Sequence, residues 1–273
     1  MGRDVDKVAL RPSPGPASPA NPLLSRSGEP RWDSITSSPA PPSWAREVAW
    51  ERADVFRPAA YAPLLRGAAA VVHSMGILLE ADYKGVLAGR ESPVAGLRRA
   101  FAPNPNPLAR EPAGGGEEGP GQLTYEAMNR DSALLVAREA ARGGVGAFLY
   151  VSAAAGAPIL PARYISTKRE AEDLVACEFP GLRGVFLRPP FMYDSSRSIT
   201  VGLAAAAGLG AAFNGLTGGV LGGFMGAAAA KPFKVDLVAE AAVEALADAS
   251  VRGPVEPAQI EELATRAWRK GML

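Results

Sequence analysis

The chain has 273 residues and a mass of 28.3 kDa, 48% of it hydrophobic, enough to bury the core of one large α/β domain with or without a tail. Lys+Arg of 29 against Asp+Glu of 28 leaves a net charge of +1, which argues against nucleic acid as the main partner. A single cysteine, Cys177, and a single histidine, His73, exclude an intrachain disulfide, a Cys-based zinc site and any site needing two imidazoles.

Residues 1–43 carry nine prolines, from Pro12 to Pro42, and are expected to be a disordered or mis-assigned N-terminal segment. No long apolar run follows the start, so a secretory signal is not expected; Asp4, Asp6 and the prolines also spoil a mitochondrial presequence pattern. The folded part is expected over 44–273, with a small-residue and helical substrate region over 201–273. Glu47–Asp54 alternates enough for a short strand. Pro58–Arg66 suits a short helix opened by a proline. Ala68–His73 is a small apolar run of the kind a buried parallel strand uses. Residues 84–122 are rich in Pro and Gly and form a long loop, with Gly114, Glu117 and Glu118 in a disordered stretch. Tyr125–Arg142 is helical by composition, although Met128, Leu135 and Val136 are imperfectly spaced and Glu139 interrupts the stripe. Gly143–Gly144 ends it. Gly146–Ser152 is a strand, Pro161–Phe179 a helix, and Arg183–Arg188 a strand stopped by Pro189–Pro190. Val235–Ala249 and Pro257–Lys270 are the last helices. Strands alternating with helices predict an α/β architecture with a mainly parallel sheet.

Tyr164 and Lys168 sit four apart in YISTK, on one face of a helix. A nearby ammonium stabilises a phenolate and lowers the tyrosine's pKa, so such a Tyr can exchange a proton with a carbonyl or hydroxyl. The lysine can also donate to ribose hydroxyls. Ser152 ends the preceding strand, where open α/β sheets bind ligands, and could hold a substrate oxygen. The plainer alternative is that Tyr164 and Lys168 merely flank a surface helix.

Ser152, Tyr164 and Lys168 resemble the Ser-Tyr-Lys arrangement of the short-chain dehydrogenase/reductase superfamily, in its extended, NAD-dependent epimerase/dehydratase-like branch. The resemblance implies a Rossmann-like parallel sheet with helices on both faces and bound NAD or NADP. It implies that Asp54 contacts adenine and that His73, Ser74 and Gly76, in the HSMG loop, line the cofactor. Asn129 would lie in the helix before the catalytic strand, and Arg188-Pro189-Pro190 would close over the nicotinamide. The strings SRSGEP, VVHSMGILLE, NPNPL, TYEAMNRDSA, YISTKREAE and RPPFMYD narrow the resemblance to a fungal mitochondrial group tied to ubiquinone (coenzyme Q) biosynthesis. That group is similar to the nucleotide-binding accessory subunit of respiratory complex I. It implies a protein complex on the matrix side of the inner membrane, peripheral membrane contact, a quinone-like lipid and no nucleic acid.

The superfamily opens with a strand, a Gly-x-x-Gly-x-x-Gly turn and a helix whose N–H groups cradle pyrophosphate. No such turn is found: Gly114–Gly116 follows no strand, and Gly218–Gly226 has neither the spacing nor the upstream position. Arg26, in SRSG, would fall near the adenosine ribose in the resemblance and is otherwise a solvated residue. The first strand, phosphate turn and first helix are therefore expected to be missing, which should split the sheet and expose strand edges. Either a first exon is mis-assigned, the favoured explanation, or the chain is a degenerate member that has lost the nucleotide. Two functions stay open: an NAD(P)-dependent oxidoreductase of the ubiquinone pathway, and a catalytically silent scaffold or assembly subunit.

Val201–Ala230 holds no charge but nine glycines, which suits closely packed small-residue helices or a membrane-surface element better than a transmembrane span. His73 is expected as a hydrogen-bonded residue beside the cofactor site. Cys177 is expected to be buried and inert. Glu170, Glu172 and Asp173 are expected on a solvated helix face.

Overall fold

A computed structural model describes residues 7–11, 43–77, 124–154, 162–194 and 231–272. SRSG, NPNPL, the glycines of 114–116, and 201–230 lie outside the described residues.

The AFLYV run is the centre of the fold. It forms β4 (Ala147–Val151), the second strand of a four-stranded parallel sheet whose other members are β3 (Ala70–His73), β5 (Arg183–Leu187) and β8 (Gly253–Val255), in the order β3-β4-β5-β8. A strand buried on both faces needs apolar residues at every position, and Ala147, Phe148, Leu149 and Tyr150 are all buried. Phe148 and Tyr150 face one layer, made by α1 (Ser132–Arg142) and α2 (Ala162–Glu178). Leu149, with Val185 and Leu187 of β5, faces the other layer, made by α3 (Val235–Ala247) and α4 (Pro257–Gly271). This is an α/β, Rossmann-like parallel sheet with helices on both faces.

Among the described residues the strands fall into three separate sheets, and a strand stands upstream of Ser25, where the first strand was expected to be missing. β2 (Val48–Arg52) pairs with β1 (Lys7–Arg11) in a separate two-stranded parallel sheet, and β6 (Met192–Tyr193) pairs with β7 (Phe233–Lys234) in another. Among the described residues β3 has a neighbour on one side only. Val72 lies in register with fully buried Leu149, yet it is 52% exposed because no described element covers that face of β3.

Several elements differ from the sequence reading. β1 lies inside the segment expected to be disordered. It ends at Arg11, immediately before Pro12, so the proline density that argued against structure begins only after the strand. Pro58–Arg66 is not one helix but two short 3-10 turns, Pro58–Ala60 and Ala62–Leu65. Pro63 lacks the N–H that a continuous helix would need there. The segment after Thr124 opens as a π-helical turn, Glu126–Asp131, before becoming α1. The buried stripe of α1 is Ser132, Ala133, Val136, Ala137 and Ala140, so alanines rather than large apolar residues carry it. Cys177 is exposed, which corrects the expectation of a buried thiol. The inner face of α2 runs through Thr167, Lys168, Ala171, Glu172 and Val175, and a residue two beyond Val175 points roughly the opposite way at about 100° per residue.

Arg183, the first residue of β5, locks the second layer in place. Its guanidinium donates to the carbonyls of Ala245 (3.0 Å), Leu246 (2.8 Å), Asp248 (3.1 Å) and Val251 (2.8 Å). These include end-of-helix acceptors of α3 that have no intrahelical donor, and a cation suits the negative end of a helix.

Candidate functional site

The site is built at the carboxyl ends of β3 and β4, where α2 and the π-helical turn converge. Lys168, on the inner face of α2, is 4% exposed. Its ammonium donates to the carbonyl of Val151 (2.9 Å) and to the hydroxyl of Tyr150 (3.4 Å). It lies 4.8 Å from the centre of the Tyr150 ring and 5.7 Å from that of Tyr164, between two π faces. Burial pulls Lys168 down to about 8 from the usual lysine range, against a smaller upward pull from the Glu172 carboxylate.

Tyr164 is half-buried, and among the described residues its hydroxyl has no hydrogen-bond partner. Burial, with neighbouring Tyr125, pushes it up to about 12. This is opposite in sign to the activation expected from the Tyr-Lys spacing. The geometry gives the reason: the ammonium is spent on a carbonyl and a second tyrosine, and it meets the ring of Tyr164 rather than its hydroxyl.

The loop after β3 comes to this point because of Gly76 and Asn129. The backbone of Ile77 donates to Asn129 Oδ1 (2.9 Å) and accepts from Asn129 Nδ2 (3.3 Å), so one amide side chain clamps the loop as a paired strand would. A Cβ on Gly76 would stand 2.8 Å from Asn129 Oδ1 and 3.3 Å from Lys168 Nζ, so no larger residue fits without displacement. The Asn129 carbonyl accepts from the Tyr150 hydroxyl (2.6 Å). Four expected residues, Gly76, Asn129, Tyr164 and Lys168, are therefore brought together. Ser74 is in the same loop and exposed.

His73 is 3% exposed and stacks on Tyr150, ring centres 5.6 Å apart. Ser132 Oγ donates to the Met128 carbonyl (2.7 Å), so at 3.1 Å His73 Nε2 is the donor to Ser132 Oγ and carries the proton. Burial holds His73 down to about 3, with a further push from Lys168, so it stays neutral. It supports the loop from beneath rather than presenting a titratable group.

Ser152 belongs to a different cluster. Its hydroxyl donates to the Glu172 carboxylate and accepts from Arg169 Nη1 (3.0 Å). Arg169 also reaches Glu172 (2.6 Å) and the Ala153 carbonyl (2.7 Å). Arg188 binds the same Glu172 carboxylate and extends to Glu256 (2.6 Å), the residue capping α4. Glu172 is 1% exposed, which corrects its assignment to a solvated face; Glu170 does remain outside, paired with Arg130 (2.9 Å). Pro189 is buried, and its carbonyl accepts from the Ala154 amide (2.8 Å). Asp54, two residues beyond β2, binds the Phe56 amide (3.0 Å) and Arg57 (3.5 Å) in a local turn. Ser152, Arg188, Pro189 and Asp54 are thus not part of the Tyr164–Lys168 group.

Glu172, Arg169 and Tyr150 were missed by sequence reasoning. Glu172 had a signal, since Tyr164, Lys168 and Glu172 are spaced by four along one face of α2. Tyr150 looked like ordinary strand core.

A dinucleotide needs a cradle of backbone N–H groups for its pyrophosphate. Among the described residues no helix opens on such a turn: α3 follows Lys234 directly, and α4 opens on the carboxylate of Glu256. The described residues hold no such cradle at the starts of α3 and α4. Among them there is also no His/Cys/Asp/Glu group able to hold a metal, and no helix long and apolar enough to cross a membrane.

No family model matches the sequence. MIOREX complex component 2 of Saccharomyces cerevisiae is 36% identical over 171 residues, 57% of this chain and 58% of that protein. The chain therefore spans less than two thirds of that relative's length. Among solved structures, the dTDP-glucose 4,6-dehydratase DesIV of Streptomyces venezuelae with NAD is 14% identical with a TM-score of 0.45, covering 99% of this chain and 73% of that one. RMD of Pseudomonas aeruginosa with NADPH is 16% identical with a TM-score of 0.43, covering 86% and 75%.

Proposed function

We propose that the chain is a subunit of a mitochondrial protein complex in which a dehydrogenase-type α/β frame serves assembly rather than turnover. The observation that carries this reading is the state of the three residues expected to do chemistry. The Ser152 hydroxyl is sealed between Glu172 and Arg169, and Lys168 donates to the Val151 carbonyl and meets the Tyr164 ring rather than its hydroxyl. The similarity to a yeast complex component supports a role in a complex. The resemblance of its longer strings supports ubiquinone biosynthesis at the matrix side of the inner membrane as the setting, with quinone-like lipid and peripheral membrane contact.

A second reading, an NAD(P)-dependent oxidoreductase of the same pathway, is favoured by one observation. Lys168 Nζ lies beside Gly76 and over the Tyr164 ring, and the Tyr164 hydroxyl has no hydrogen-bond partner among the described residues. One experiment separates the two. A Tyr164→Phe, Lys168→Met double variant is expressed in a fungal strain lacking the endogenous copy, and ubiquinone content and co-purifying partners are measured. The assembly reading expects both to match wild type. Lost ubiquinone with partners retained would overturn it in favour of turnover. Lost partners from a folded double variant would overturn both.

A further inference from the structure

Tyr125 stands where the π-helical turn begins and is 4% exposed. Its ring meets the ring of Tyr164 edge to face, centres 6.1 Å apart at 65°. The residues next to each tyrosine reinforce the contact. Arg163 lies 5.7 Å from the centre of the Tyr125 ring and grips both carboxylate oxygens of Glu126, at 2.7 and 2.8 Å. The pair Tyr125–Glu126 is therefore matched against the pair Arg163–Tyr164. Lys168 Nζ also lies over the Tyr164 ring, 5.7 Å from its centre, so that ring contacts both an aromatic ring and a cation.

We propose that Tyr125 is a positioning residue for Tyr164, fixing its ring over Lys168 and keeping water away from it. Free of that contact, the Tyr164 side chain could turn about χ1 and take its hydroxyl into solvent. The inference deepens the reading of the Tyr164–Lys168 site and is independent of whether that site turns over. Among the described residues, the ionisable and charged groups facing Tyr164 are Tyr125 from the π-helical turn, Lys168 from its own helix and Tyr150 from β4.

The test is the ionisation of Tyr164 in the full chain. It is followed by NMR of 13Cζ-labelled tyrosine up to pH 11, with the resonance assigned by its loss in Tyr164→Phe and folding checked by circular dichroism. In wild type, roughly a tenth of Tyr164 is phenolate at pH 11; in Tyr125→Leu the midpoint falls by about one unit and the fraction rises roughly fivefold. Tyr125→Phe keeps the ring and loses only the hydroxyl, so it restores most of the wild-type behaviour. A folded Leu variant with an unchanged Tyr164 titration would overturn the proposal. If the Leu variant does not fold, the Phe variant decides, because a Tyr164 midpoint as low as that of an exposed tyrosine would also overturn it. Co-purification of partners is a separate measurement, so failure here and failure of the assembly reading are distinguishable.

Discussion

Lys168→Met isolates the energetics of the site. Methionine keeps the stem packed between Tyr150 and Tyr164 and removes the charge. In wild type the lysine falls from 10.5 to about 8 on folding, chiefly through burial. That shift corresponds to about 3 kcal/mol of stability at full effect. Below pH 8 both folded and unfolded chains carry the proton, and the penalty of the buried charge is fully present. Between pH 8 and 10.5 the unfolded chain holds more protons, so wild-type stability rises with pH, by about 2.5 kcal/mol at pH 10. Tyr61 and Tyr164, both raised to about 12, act in the opposite sense above pH 10, where the unfolded chain releases protons first. They are common to both proteins and cancel in the difference. Urea unfolding followed at 222 nm, from pH 7 to 10, should show the wild-type-minus-variant stability moving toward wild type by about 2.5 kcal/mol. Parallel curves across that range would refute the claim that Lys168 is a buried, poorly compensated cation.

Other perturbations follow from the same geometry. Glu172→Gln leaves Arg169 and Arg188 without their shared carboxylate and should cost about 3 kcal/mol in urea unfolding; a change below 0.5 kcal/mol would mean the cluster is solvated. His73 is lowered from 6.5 to about 3, so the stability it supports is intact above pH 6.5 and lost as pH falls toward 3. His73→Phe should therefore flatten the acid limb, by about 3 kcal/mol at pH 4 relative to its own value at pH 7. Gly76→Ala should destabilise by about 1–3 kcal/mol and speed exchange of the Ile77 amide, since the new Cβ displaces the Asn129 side chain that holds it.

Much of the fold is legible in the sequence where one residue type dominates. β4 announces itself because a doubly covered strand has no room for polar residues, and α2, α3 and α4 have clear limits in Pro161, Asp236 and Pro257. The π-helical turn was not legible, because its buried residue is the polar Asn129, which raises no apolar signal. β8 was missed because it is only Gly-Pro-Val, held by β5 rather than by its own propensity. Spacing alone brought out Tyr164 and Lys168. It could not show where the ammonium points, which depends on the Val151 carbonyl and the Tyr150 ring, and so the sign of the Tyr164 shift was misjudged. Ser152 was read as a free hydroxyl because its carboxylate partner, Glu172, sits twenty residues away on a helix that looked wet.

The four carbonyls held by Arg183 have a consequence for how the molecule opens. Helix ends normally fray first, because their last acceptors face water. Here the end of α3 is tied to the start of β5, across 62 to 68 residues of chain. Local fraying at that point would have to strand a guanidinium, so α3 and the inner sheet should open as one unit. In native-state hydrogen exchange the amides of β5 and the last turn of α3 would then share a single opening free energy. That couples the second helical layer to β5, the neighbour of β4, whose Val151 carbonyl holds Lys168.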